Sequence, residues 1–188
     1  MNVQKRLLVL GTLSLSLLAA GAFAKDDKAT KQAEVVKSTE AAMERFYKEK
    51  PELKAAVAKA PGYGIFTTYG VSFIVGGSGG TGRVHDNKTK HDTFMKVGGA
   101  SVGFQLGASQ TEVLFVFKTA AAMNKFVNSG WSAGASATAS VGASGSTAGG
   151  GRGEAANDEA EVYTLTKNGL QAGLAVGGSK FSKDKDLN

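Results

Sequence analysis

Two histidine–aspartate pairs, His85-Asp86 and His91-Asp92, flank the run Asn87-Lys88-Thr89-Lys90. Imidazole nitrogens and carboxylate oxygens are ligands that zinc accepts, so His85 and His91 are candidate metal ligands if the two flanking segments come together. Two exposed histidines at a hairpin are the competing reading. Spacing alone does not build a site, and the reading adopted is no bound metal and no cofactor. A second chemical spacing, G-x-G-x-x-G, falls at Gly77, Gly79 and Gly82. Dinucleotide binding needs that spacing to open a helix after a strand. Here Arg83-Val84-His85 follows and reads as another strand, so a glycine-rich bend between strands is expected instead. The chain has no Cys. No Ser stands in a G-x-S-x-G context followed by a plausible Asp and His order. Asp158, Glu159 and Glu161 form a charged loop run of the kind that is ordinarily solvated. The chain therefore reads as non-enzymatic. Asn87-Lys88-Thr89 matches a glycosylation acceptor, which matters only on a eukaryotic secretory route.

These residues need elements to hold them. From Lys25 to Lys50 the chain is charged and free of Gly and Pro. Its apolar residues, Ala29, Ala33, Val36, Met43 and Phe46 with Tyr47, form a helical stripe broken at Glu40. Pro51 opens a short second helix with an apolar face of Leu53, Ala56, Val57 and Ala60, and Pro61-Gly62 ends it. Strand texture begins at Tyr63. Ile65–Tyr69 and Val71–Val75 read as strands with a bend or bulge at Gly70. Thr81–His85 and Thr93–Val97 read as a hairpin turning through Asp86–Lys90. Ala100–Leu106 alternates, and Val113–Phe117 is a continuous apolar run, as in a strand buried on both faces. Thr119 caps a helix that carries Ala122, Met123, Phe126 and Val127. Gly134–Ser146 alternates Ala with Ser and Gly and reads as a closely packed strand. Gly149–Gly153 reads as a loop, and Glu161–Thr166 and Leu170–Val176 as strands joined at Asn168-Gly169. The fold class is α+β: N-terminal helices packed on a curved, Gly-rich, mainly antiparallel sheet or partly closed barrel with one inserted helix.

The first 24 residues read as a secretory signal peptide. Lys5 and Arg6 precede an apolar run from Leu7 to Ala20, and Ala22-Phe23-Ala24 offers small residues for cleavage after Ala24. The run is shorter than the roughly 20 residues that span a bilayer, and without Cys there is no lipoprotein anchor. The expected organisation is a signal peptide at 1–24, a helical part at 25–61, a β-rich part of the same domain at 62–182 and a polar tail at 183–188. The expected product is exported, periplasmic or envelope-associated, and soluble after cleavage. The whole chain has a formal net charge of +6. That balance allows attraction to anionic membrane surfaces. The charges are scattered and the destination lies outside the cytosol, so nucleic acid is excluded as a partner.

In order along the chain, Ala58-Lys59-Ala60, Gly64-Ile65-Phe66, Gly70, Phe73-Ile74-Val75-Gly76-Gly77, Gly80-Thr81-Gly82 and Gly98–Gly107 resemble the SYLF domain. Val113–Phe117, Met123-Asn124-Lys125-Phe126 and Gly169–Leu174 continue the likeness. It runs from about residue 30 to residue 180 and is similar to the bacterial, signal-peptide-bearing branch. The resemblance implies membrane-lipid binding without catalysis, with phospholipids as partners and anionic ones preferred. The actin binding of yeast members is not expected in an exported protein. The candidate lipid-contacting residues are Lys48, Lys50, Lys54 and Lys59 for head groups and Tyr63 and Phe66 for an apolar groove or insertion. The alternative is a structural or stress-related envelope protein acting through protein–protein contacts, by its sheet or by Ser144–Gly153, with partners unknown.

Overall fold

A computed structural model describes residues 16–72, 75–102, 107–132, 159–166, 169–172 and 179–188. At 16–26, 71–72, 75–76, 100–102, 107–109 and 171–172 it describes the backbone alone. The expected Gly134–Ser146 strand, the Gly149–Gly153 loop and Ser144–Gly153 lie outside the described residues.

Two helices come first, α1 (Ser16–Glu49) and α2 (Glu52–Lys59). Helical backbone in α1 runs through the expected cleavage point at Ala24. Pro51 sits at the N-cap of α2, whose Leu53 and Val57 are buried. The predicted stripe of α1 is displaced along the helix. Val35, Thr39, Ala42, Met43 and Phe46 are buried, whereas Ala29 and Ala33 are exposed. A threonine can sit inside the stripe because its Oγ1 lies 2.7 Å from the Val35 carbonyl, so its hydroxyl is satisfied one turn back.

The strands follow as β1 (Gly62–Ser72), β2 (Val75–Asp86), β3 (Asp92–Val102) and β4 (Gly107–Phe117). Helix α3 (Ala120–Ser129) intervenes before β5 (Trp131–Ser132), β6 (Ala160–Thr166), β7 (Gly169–Ala172) and β8 (Ser179–Lys183). These eight strands form one antiparallel, curled sheet in the order β5-β8-β3-β2-β1-β4-β6-β7. The fold class is α+β, as the sequence predicts. The bend expected at Gly70 does not occur. Gly70 pairs with Ser78 on one side and Ser109 on the other, in unbroken register. The G-x-G-x-x-G spacing likewise falls within strand β2, not at a bend between strands.

Successive residues of a strand point to opposite faces. Ile65 and Leu114 join Phe46, Leu53 and Val57 beneath α1 and α2. Phe66 and Phe115 join Val84, Met95, Phe126 and Phe181 beneath α3. All of Val113–Phe117 is buried, so this strand is covered on both faces as its composition implies. The Thr119 hydroxyl accepts a bond from the Ala122 amide and caps α3. The face beneath α3 is tightly curled. A Cβ on Gly82 would lie 2.7 Å from Phe66 Cγ, and one on Gly80 would lie 2.8 Å from Thr68 Cα. No L side chain fits at either position without displacing β1. The last residues are docked: Leu187 is buried with Val35 and Phe94, and the Asn188 amide bonds both backbone groups of Phe94.

Candidate functional site

On the α1 side of the sheet a buried guanidinium joins the first helix to the β2–β3 hairpin. Arg83 is 7% exposed. Its Nε donates to Thr39 Oγ1 (3.0 Å) and its Nη1 to Asp92 Oδ2 (2.6 Å), with Glu40 Oε1 3.7 Å from Nη2. The other Asp92 oxygen lies 2.7 Å from His85 Nδ1, and the Tyr63 ring stands 5.3 Å from the His85 ring. Burial pushes the Tyr63 hydroxyl above its ordinary pKa, with Arg83 opposing the shift. The strand pairing sets His85 opposite Asp92. A buried charge persists only when paired and hydrogen-bonded, and Arg83 meets that condition with one helix residue and one strand residue. The arrangement is a latch between layers.

The four residues flanking the hairpin tip are thereby divided. His85 and Asp92 belong to the latch. Asp86 accepts hydrogen bonds from the backbone amides of Lys88 (2.8 Å) and Thr89 (3.0 Å). The bond from Thr89 is the largest of the effects that hold its carboxyl below the usual range. His91 is exposed. The geometry does not gather these four, and no three His, Cys, Asp or Glu side chains converge among the described residues.

The tip is fastened to the end of α2. Asn87 Nδ2 donates to the carbonyls of Val57 (2.7 Å) and Ala60 (2.8 Å), and its backbone amide donates to Pro61 (2.9 Å). The same nitrogen would carry a glycan, so the sequon is engaged in the fold.

Lys48, Lys54 and Lys59 are exposed at the end of α1 and on α2. Lys50 is half-buried, with its ammonium 5.2 Å from the Tyr163 ring centre. Burial, together with a hydrogen bond to Glu161, pushes the Tyr163 hydroxyl up to about 12. Tyr63 is half-buried against His85. Phe66 is a correction. It is fully buried in the aromatic cluster, 4.8 Å from the Phe181 ring, and cannot reach a membrane while the sheet is folded. It is the alternation of β1 that turns Ile65 toward α1 and Phe66 toward α3, so both are core.

Sequence reasoning passed over several residues. Lys88 and Lys90 are exposed at the hairpin tip. Their signal was the turn itself, which places its residues in solvent. Tyr69 is 59% exposed on the outer face, near Arg45, which pairs bidentately with the buried Glu112. The bond to Glu112 is the main cause raising the Arg45 pKa. A small cavity of roughly 30 Å³ lies among Phe115, Phe117, Phe126 and Trp131. It has room for a water or two. No helix among the described residues is long and apolar enough to cross a membrane.

This is an α+β domain whose curled sheet packs a cluster of aromatic rings on one face and carries an exposed, lysine-bearing helical layer on the other. Residues 98–188 match the Ysc84 family model, described as Las17-binding protein actin regulator. The chain is also 29% identical over 162 residues to Beta cell expansion factor A of Aeromonas veronii, a match covering 85% of this chain and 60% of that protein. The chain spans about 60% of this relative's length. The chain is thus similar to the SYLF family, a likeness that supports a domain of lipid-binding type.

Proposed function

We propose that this chain is a non-enzymatic lipid-binding protein of the bacterial cell envelope, exported with loss of its first 24 residues and meeting membrane phospholipid at the surface. The supporting observation is the exposure of Lys48, Lys54 and Lys59 along the end of α1 and α2, on the domain of a lipid-binding-type family. Cations set near an anionic bilayer contribute roughly 1 kcal/mol each. Contact at the head-group level suits a domain whose largest aromatic cluster is sealed inside. Anionic phospholipid is the preferred ligand, and Tyr63 stands at the edge of the same layer.

The test is co-sedimentation of the protein recovered after export, its new N-terminus read by mass spectrometry. Vesicles of phosphatidylcholine alone are compared with vesicles containing phosphatidylglycerol. Sedimentation with the anionic vesicles, declining as salt rises, is the expected result. Absence of binding to either vesicle at low and moderate salt overturns the reading.

A further inference from the structure

We infer that the tip of the β2–β3 hairpin is a second anionic-membrane contact, joined with the end of α2 into one basic platform; the inference rests on the lipid-binding reading above. The tip carries Lys88, Lys90 and His91, all exposed. Three hydrogen bonds hold it against the last turn of α2: Asn87 Nδ2 to the Val57 and Ala60 carbonyls, and the Asn87 amide to Pro61. Lys59, also exposed, lies within that turn. Residues far apart in the chain thus place Lys59, Lys88 and Lys90 around one anchored junction.

The nearby carboxylates do not cancel these charges. Asp86 is turned to the backbone amides of Lys88 and Thr89. Asp92 is held by Arg83 and His85. Glu159, at the same end of the sheet as the start of α3, is paired with Lys125 at 2.6 Å. These three acids are each committed inward or to another cation.

Lys90 adds a separate observation. Its φ is +59°, and among the described residues it is the sole non-glycine with positive φ. That left-handed position favours Gly, Asn or Asp. The turn closes through backbone bonds, Lys90 amide to Asp86 carbonyl (2.8 Å) and Asp86 amide to His91 carbonyl (3.0 Å), which glycine would make equally well. A lysine side chain stands where folding alone would prefer none. A flat anionic surface is the partner that fits exposed cations on an anchored, protruding turn.

The full chain recovered after export is sedimented with vesicles containing phosphatidylglycerol at low salt. Lys88→Gln/Lys90→Gln is compared with Lys37→Gln/Lys180→Gln, which removes the same charge from exposed sites on α1 and β8. The tip variant is expected to lose about 30-fold in partitioning, and the control variant under about threefold. Lys90→Gly separates folding from binding: relief of the left-handed position should raise the melting temperature while binding falls. Equal losses in the two double variants, or undiminished binding by Lys90→Gly, would overturn the platform while leaving lipid binding intact. No sedimentation of the unaltered protein would overturn both readings.

Discussion

The two faces of the sheet are built from different physics, although each is covered by a helix. Beneath α3 the contacts are rings on rings: Phe66, Phe115, Phe126, Trp131 and Phe181 lie with centroids 4.8–6.4 Å apart. The hydrophobic effect and aromatic packing suffice there. Beneath α1 the apolar contacts of Ile65, Leu114 and Phe46 share the layer with Arg83, Asp92, Thr39 and the Arg45–Glu112 pair. Burying ions returns little net stability compared with apolar groups of the same volume. It does impose one arrangement, because each charge must meet its partner. The inner face fixes how tightly the sheet curls. The outer face fixes where the helical layer and its lysines lie on it.

The largest effect should come from filling the inner face. In Gly82→Ala the new methyl meets the Ile65 carbonyl and the Phe66 ring, and the β1 backbone cannot give way. Overpacking ordinarily costs about 1–3 kcal/mol; contact with backbone places this substitution at the top of that range or beyond. Gly79 lies on the same strand but faces outward, where a Cβ meets nothing within 4 Å. Gly79→Ala should change stability by less than about 0.5 kcal/mol. Urea denaturation followed by circular dichroism measures both. Equal losses would show that the curl does not depend on bare backbone at position 82.

A smaller loss is expected from opening the latch. Arg83→Met keeps the bulk but leaves Asp92, 22% exposed by its side chain, with His85 as its remaining partner. Breaking a fully buried pair costs about 3–5 kcal/mol, and the partial exposure of Asp92 lowers the expectation to about 2–3 kcal/mol. Adding Asp92→Asn removes the stranded charge and should recover part of that loss, a coupling read from a double-mutant cycle. Strict additivity would mean that the two residues do not act together.

The same division explains what the sequence disclosed. Val113–Phe117 announced burial on both faces because five apolar residues in a row leave no solvent face. The hairpin tip was legible in Asp86–Lys90, and the cap of α3 in Thr119. Phe66 was misplaced because alternation shows that a strand has two faces without saying how many are covered. Arg83 was invisible as a buried residue. Charged side chains are rarely buried, and its partners Thr39 and Asp92 come from another element or the facing strand. Gly80 and Gly82 could not be told from Gly77 and Gly79, since only curvature distinguishes a crowded glycine from an open one. Of the candidate contacts, Lys48, Lys54 and Lys59 were named for their place near the predicted helical layer. Their junction with Lys88 and Lys90 depends on Asn87, whose bonds reach back some 30 residues.

A further effect, smaller than the first two and of the opposite sign, tests what polar burial contributes on the outer face. Thr67 lies there, opposite Glu112 on β4 and Thr81 on β2, and is 3% exposed. Its hydroxyl is buried without a hydrogen-bond partner, unlike Thr39, whose hydroxyl serves both Arg83 and its own helix. An unsatisfied buried hydroxyl costs about 1–3 kcal/mol. Valine keeps the branched shape and the β propensity while removing that oxygen. Thr67→Val should therefore raise stability by about 1 kcal/mol, seen as a higher urea midpoint with an unchanged slope. Thr39→Val, which strands the Arg83 Nε, should lower the midpoint. If both substitutions destabilise, Thr67 takes part in the latch after all, and the polar network of the outer face extends one strand farther than Arg83 and Asp92 reach.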